Sequence, residues 1–147
     1  MDKPLVEVSK TIDATPDEVW DALTSPQKLK QFFFGSDVES DWEVGAPIRF
    51  RGEVKGKPYE DHGEIRSFAP RKRLAFSHYS PLSGKPDAPE NYNVVAFDLT
   101  PHGDKTEVTL SQGKLTGQLS EADLKQKAQF EKNWRGVLDG LEKTVAG

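Results

Sequence analysis

The pattern of apolar and polar positions first predicts a β-strand. Between residues 5 and 13, Val6, Val8 and Ile12 fall on one side of an extended chain, and Glu7 and Thr11 fall on the other. Alternation with a period of two is typical of a half-buried strand. We therefore expect the chain to open with a strand that covers one side of a core.

Two short helices are predicted next. Thr15-Pro16-Asp17-Glu18 combines an N-cap, a proline at the first helical position and a capping-box glutamate. Ser25-Pro26 repeats the cap and proline, and Gly35 is the expected end of this second helix.

The stretch from residue 38 to residue 115 predicts an antiparallel meander. Short alternating runs are separated here by glycine, proline and aspartate clusters, as turns between strands require. Residues 80–91 contain three prolines and a glycine and are predicted to be a long loop. The six strands predicted are Val38–Trp42, Pro47–Lys55, Tyr59–Phe68, Arg73–Tyr79, Tyr92–Thr100 and Thr106–Leu115.

One long C-terminal helix is predicted from the cap at Ser120 to about Val145. Its apolar residues form a stripe about 100° wide. Gly136 and Gly140 lie off this stripe, and close approach of another backbone is our hypothesis for them. The stripe consists of Phe130, Trp134, Val137, Leu138, Leu141 and Val145.

Length and composition limit the number of domains and the classes of partner that we expect. We expect one domain over residues 1–147, since 147 residues is a usual single-domain size. A net charge of −4 disfavours nucleic acid as a partner. There is no cysteine and no apolar run of the ~20 residues that span a bilayer. We expect an unprocessed, cytoplasmic chain that does not span a membrane.

Several segments together resemble a known family. They are Ala14–Thr24, Val44-Gly45, His62–Ile65, Pro70–Phe76 and Asn133–Leu138. In order and spacing they resemble the START-like, helix-grip (SRPBCC) superfamily. Within it, they are similar to the C-terminal domain of the activator of heat-shock protein 90 ATPase.

The resemblance implies an α+β helix-grip fold. A curved, six- to seven-stranded antiparallel sheet, with two short helices, would grip the long C-terminal helix around an apolar cavity. It also implies a small hydrophobic ligand, such as a lipid, polyketide or flavonoid-like molecule. The full-length eukaryotic activator is similar only in its C-terminal domain and has a further N-terminal domain that binds the chaperone. We therefore do not expect chaperone activation to be the main role.

Ten residues are the candidates for lining the cavity, chosen by strand parity, by helix position or by their place beside the loop. The alternative is that the inward-facing residues pack solidly and leave no space. The candidates are Phe33, Trp42, Phe50, Phe76, His78, Tyr92, Phe97, Phe130, Trp134 and Leu138.

The histidines are candidate metal ligands or acid-base groups. Strand alternation puts His62 and Glu64 on the face opposite Asp61, so these three do not converge on a metal. His78 shares the parity of Phe76 and is expected to point inward, where a pairing with Glu64 is conceivable. His102 lies in a predicted turn.

No catalytic or cofactor-binding motif is present in the sequence. We expect binding without a cofactor, with a co-chaperone-like interaction module and a cyclase or hydrolase on the same fold as alternatives. Three consecutive phenylalanines at 32–34 carry more apolar surface than one short helix can bury. Either one ring caps the cavity or contacts a partner such as a second copy, or all three wedge beneath the sheet.

Overall fold

A computed structural model describes residues 4–81, 84–117 and 119–146 of the chain. Within these ranges the chain forms a seven-stranded antiparallel sheet, four α-helices and a 3-10 turn at Pro89–Asn91. Leu82 and Ser83 belong to the predicted loop and lie outside the described residues.

The sheet has the predicted strands, and their ends differ from the prediction by at most two residues. Their order across the sheet is β1-β7-β6-β5-β4-β3-β2. The strands from β2 to β7 therefore follow chain order, and β1 pairs with β7 at the far edge. The strands are β1 (Val6–Ile12), β2 (Asp37–Ser40), β3 (Pro47–Val54), β4 (Lys57–Ala69), β5 (Arg73–His78), β6 (Asn93–His102) and β7 (Lys105–Lys114).

Two short helices connect β1 to β2: α1 (Pro16–Thr24) and α2 (Pro26–Phe32). The capping box predicted for α1 is present, because the Thr15 hydroxyl accepts from the Glu18 N–H and the Glu18 carboxylate accepts from the Thr15 N–H. Ser25 precedes α2 but makes no side-chain capping bond, so proline at the first helical position is the local start signal that remains.

The prediction of a single long C-terminal helix is wrong in one detail. The chain forms α3 (Glu121–Lys125) and α4 (Lys127–Ala146), separated at Gln126, where ψ is 0°. None of the α3 residues is buried. The apolar stripe begins only at Phe130, so α3 contributes no buried apolar residue to the core.

The sheet is curved, and its apolar face packs against α4. The residues of α4 that are fully buried against it are Trp134, Val137, Leu138 and Leu141. An ideal Cβ placed on Gly140 would lie 2.8 Å from Cβ of Phe32 in α2, which confirms a close helix approach at this glycine. Gly136 has no atom within 4 Å of such a Cβ, so the same hypothesis is wrong there. Among the described residues, no helix combines the length and the hydrophobicity needed to cross a bilayer.

Candidate functional site

A cavity of about 340 Å³ lies between α4 and the apolar face of the sheet. At ~30 Å³ per molecule, this is the volume of about eleven waters, and it falls within the usual range of ligand pockets. The residues that line it come from β3, β4, β5, β6, β7, α4 and the segment after α2. The solidly packed alternative is therefore wrong for this part of the interior.

Most of the cavity wall is aromatic. The ring of Phe33 lies in the middle of the aromatic side chains, with centroid distances of 5.6 Å to Phe50 and 6.0 Å to Trp134. Phe50 also packs against Phe76 at 5.3 Å. The apolar rings that line the cavity are Phe33, Phe34, Phe50, Phe76, Phe130 and Trp134.

A left-handed turn after α2 places two of these rings. Phe34 has a φ of 57° and Gly35 a φ of 68°, and for a residue with a Cβ this conformation costs about 1–2 kcal/mol. Phe33 is thereby buried, whereas Phe34 remains 57% exposed at the cavity opening, 5.7 Å from the Trp134 ring. The alternative that all three consecutive phenylalanines wedge beneath the sheet is therefore wrong, because Phe34 is exposed and lines the cavity.

An aspartate and a histidine form a pair inside this aromatic wall. Asp61 Oδ2 lies 3.0 Å from His78 Nε2, and the two side chains are only 14% and 25% exposed. The other carboxylate oxygen, Asp61 Oδ1, is buried and has no hydrogen-bond partner among the described residues. His78 points inward as predicted, but its pairing with Glu64 is wrong, because Glu64 is exposed on the opposite face of the sheet.

Sequence reasoning missed Asp61 as a cavity residue. The signal was available, since Asp61 has the same strand parity as Tyr59 and Ile65, and both of these also point inward. The strand alternation that argues against a metal site with His62 and Glu64 also places Asp61 on the inner face. Among the described residues, no group of three or more His, Cys, Asp or Glu side chains is arranged to hold a metal ion.

Gly63 allows β4 and β5 to meet next to this pair. A Cβ at position 63 would lie 1.8 Å from the carbonyl oxygen of Ser77. Beside it, His62 and Tyr79 exchange two backbone hydrogen bonds of 3.0 and 2.8 Å. This close contact keeps the neighbouring Asp61 and His78 side chains within hydrogen-bond distance across the two strands.

A second polar group lies at the helix side of the cavity. Trp134 Nε1 donates to Gln112 Oε1 at 2.6 Å, and Gln112 is 4% exposed. Because an indole N–H can only donate, this bond fixes the orientation of the amide and turns its N–H groups elsewhere. Gln112 also lines the cavity, and its amide N–H groups are not used by this bond.

Tyr59 and Ser36 form a further polar contact on the cavity wall. Their hydroxyls lie 2.9 Å apart. The Tyr59 ring lies across Gly52 of the paired strand, where a Cβ would meet its hydroxyl oxygen at 2.8 Å. Ser80, Asn93 and Asn133 complete the polar lining.

Of the ten predicted residues, six line the cavity and four do not. The six are Phe33, Phe50, Phe76, His78, Phe130 and Trp134. Phe97 and Leu138 do point inward, but they are 1% exposed and lie in the closely packed part of the core. Phe97 borders only a void of about 10 Å³. Strand parity identifies the inner face and does not show where along that face the space lies.

Trp42 and Tyr92 are the other two corrections. Trp42 has a φ of 56°, which ends β2 before this residue and turns its ring toward the small void shared with Phe97. Tyr92 precedes β6, and its hydroxyl donates to Asp87 Oδ1 at 2.6 Å on the outer side of the sheet. The next residue, Asn93, is the one that reaches the cavity.

Tyr92 belongs to a polar cluster that attaches the 84–91 loop to the outer face of the sheet. His62 Nε2 lies 3.0 Å from Asp87 Oδ2 and 3.1 Å from the Tyr92 hydroxyl. Burial and the Asp87 carboxylate raise the pKa of Tyr92 to about 12. The hydrogen bond from Tyr92, despite some desolvation, holds the pKa of Asp87 below its ordinary value. Tyr92 therefore remains a donor across the usual pH range.

Comparison with known proteins identifies the family. Among curated proteins, no sequence matches this chain. The solution structure of ChR145 from Cytophaga hutchinsonii is 41% identical, with a TM-score of 0.80 over 99% of this chain and 96% of that one.

Two further structures share the fold. CalU16 from Micromonospora echinospora is 25% identical, with a TM-score of 0.68 over 95% of this chain and 74% of its own. DynU16, a protein of the dynemicin biosynthetic locus, is 23% identical, with a TM-score of 0.74 over 96% of this chain and 46% of its own. The family model for "Activator of Hsp90 ATPase homolog 1-like protein" matches residues 13–146. The chain therefore belongs to the activator of Hsp90 ATPase homolog 1-like family.

Proposed function

We propose that this protein binds a small hydrophobic molecule in the cavity between α4 and the sheet. The observation that carries the proposal is a partly open space of about 340 Å³ whose lining includes six apolar aromatic side chains. Interiors are normally packed to crystal-like density, so a space of this size has to be maintained by the arrangement of its walls. A flat, ring-containing ligand is the best match to such walls, because aromatic rings prefer offset-stacked or edge-to-face contacts.

The expected affinity follows from the buried area. A ligand that removes about 200 Å² of apolar surface from water gains about 5 kcal/mol at ~25 cal/mol per Å². This corresponds to a dissociation constant on the order of 0.1 mM, before specific polar contacts are added. Titrations should therefore extend to millimolar ligand.

The indole N–H signals of the three tryptophans provide the test. Trp134 lines the cavity, whereas Trp20 and Trp42 do not. A panel of lipid-like, polyketide-like and flavonoid-like molecules should shift the Trp134 signal saturably and leave the Trp20 signal in place. The biosynthetic locus of DynU16 is a reason to include polyketide-like compounds. If no compound moves the Trp134 signal, the ligand-binding proposal is wrong.

Two other functions have a specific observation in their favour. The family match over residues 13–146 favours a chaperone-activator role, which predicts that the purified chain stimulates the ATPase of a heat-shock protein 90. The Asp61–His78 pair favours a cyclase or hydrolase, which predicts turnover that is lost in His78→Ala while binding persists. Four expectations from the sequence stay predictions: a cytoplasmic location, a single domain, contact with a second copy and the lack of nucleic-acid binding.

A further inference from the structure

The acceptor capacity of Asp61 is largely unused in the folded chain. A carboxylate offers about four lone-pair sites, and among the described residues only the His78 ring is bonded to this one. Oδ1 is buried without a partner. Buried polar groups are nearly always hydrogen-bonded, and an exception calls for an explanation. Asp61 is among the residues that line the cavity, so a molecule bound there can supply a donor to the carboxylate.

The geometry allows a ligand to reach this carboxylate. The Asp61 side chain lines the cavity and is 14% exposed. Because the terminal torsion of aspartate is broad, a partial rotation of the carboxylate turns Oδ1 toward the cavity. Phe50 is the register partner of Asp61, and its ring lies 5.4 Å from that of His78. A flat ligand lying against Phe50 would thus present its edge to the Asp61–His78 pair.

The charges around the cavity decide between ligand classes. In the part of the chain that the structure describes, the residues that line the cavity include one aspartate and one histidine but no lysine or arginine. The carboxylate or phosphate of an acidic lipid would meet Asp61 without a permanent cation to offset the repulsion. A hydroxyl group instead donates to the carboxylate and remains neutral, and such charge-assisted bonds are among the strong ones.

We propose that the Asp61–His78 pair binds the hydroxyl group of a flat aromatic ligand, and that the protein thereby selects phenols over their ethers and over carboxylic acids. This inference rests on the proposed ligand-binding function and adds a substrate class to it. His78 holds the carboxylate in place through the Nε2 contact, and Asp61 is the acceptor.

A matched ligand series tests the proposal: 2-naphthol, 2-methoxynaphthalene and 2-naphthoic acid, each titrated into the protein while the Trp134 indole signal is followed. We expect 2-naphthol to bind at least about tenfold more tightly than the ether, which equals 1.4 kcal/mol. The acid should bind more weakly than the ether.

The protein offers a matched control for the carboxylate. Asp61 and Asp87 each lie 3.0 Å from a histidine Nε2, but Asp61 faces the cavity and Asp87 lies on the outer side of the sheet. In Asp61→Leu, which has no acceptor, the phenol-to-ether ratio should fall toward one, and in Asp87→Leu it should stay at the wild-type value. Asp61→Asn keeps one neutral acceptor oxygen, so its ratio should lie between those of Asp61→Leu and the wild type.

The outcomes separate the two proposals. If 2-naphthol and its ether shift the Trp134 signal with equal affinity, the donor preference is wrong and ligand binding stands. The preference is equally refuted if it persists unchanged in Asp61→Leu. If none of the three compounds moves the signal at millimolar concentration, both proposals fail for this ligand class. The wild-type comparison decides the question even if a variant fails to fold.

Discussion

Replacing Gly63 by alanine tests whether the contact between β4 and β5 is as close as the structure requires. The added Cβ would lie 1.8 Å from the Ser77 carbonyl oxygen and 2.4 Å from its carbon. Ordinary van der Waals contact begins at 3.4 Å, so the two backbones must separate by about 1.6 Å. Paired strands lie only ~4.8 Å apart, and a shift of this size is incompatible with the two His62–Tyr79 backbone bonds.

The cost can be worked out from these contacts. Losing two backbone hydrogen bonds costs about 2 kcal/mol at ~1 kcal/mol each. Overpacking adds about 1–3 kcal/mol. We therefore expect Gly63→Ala to lower the free energy of unfolding by about 3–5 kcal/mol and to lower Tm by about 10 °C or more. Urea denaturation measures the change as a lower midpoint with an unaltered slope.

Two other glycines are internal controls for the same substitution. Gly136 is exposed in α4 with open space around it, so Gly136→Ala should stabilise the protein by up to about 1 kcal/mol through helix propensity. Gly140→Ala must displace Phe32 and should destabilise the helix contact. If Gly63→Ala lies within about 0.5 kcal/mol of the wild type, the described approach of the two strands is incorrect.

Two further predictions concern the 84–91 loop and the start of α3. Tyr92→Phe removes the hydroxyl that is bonded to Asp87. Amide hydrogen exchange in the loop should then become about tenfold faster, because hydrogen bonds to charged groups contribute about 1.5–3 kcal/mol. Unchanged exchange would contradict a role of the cluster in holding the loop. Burial raises the pKa of Asp123, but hydrogen bonds from the Ser120 N–H and hydroxyl bring it below its ordinary value of 3.8. Its stabilising effect is thus complete above that value and is lost as pH falls through the lower folded pKa. Unfolding measured between about pH 5 and pH 2 should show a shallower loss in Ser120→Ala than in the wild type, and identical slopes would refute this.

Local sequence signals predicted the elements because they act over only a few residues. The capping box at Thr15 and the period of two in Val6 to Ile12 are examples. The break at Gln126 was not predicted, because it depends on where the helix gains and loses contact with the sheet. The left-handed Trp42 was missed for a related reason, since nothing in its own side chain favours a positive φ.

The candidate site was predicted less completely than the fold. Parity showed that Phe76, His78 and Phe97 share the inner face, but the position of the space along this face is set by the packing of α1 and α2 against the sheet. Phe97 lies at the filled end, where Leu23 and Leu29 border the same small void. Such distances between elements far apart in the chain cannot be read from one sequence.

Three locally unfavourable features converge on the cavity, and this favours a binding role over simple packing. Phe34 adopts a left-handed conformation and leaves most of its ring exposed. Asp61 occupies an inward position where an apolar residue of similar volume would often be neutral or stabilising. Gly63 has no side chain to pack, and this allows β4 and β5 to meet beside it. Natural sequences break such local rules chiefly at functional sites, and the three exceptions lie at or beside one cavity. Its aromatic walls and unused acceptor are the features on which the proposed binding of a hydroxylated ring rests.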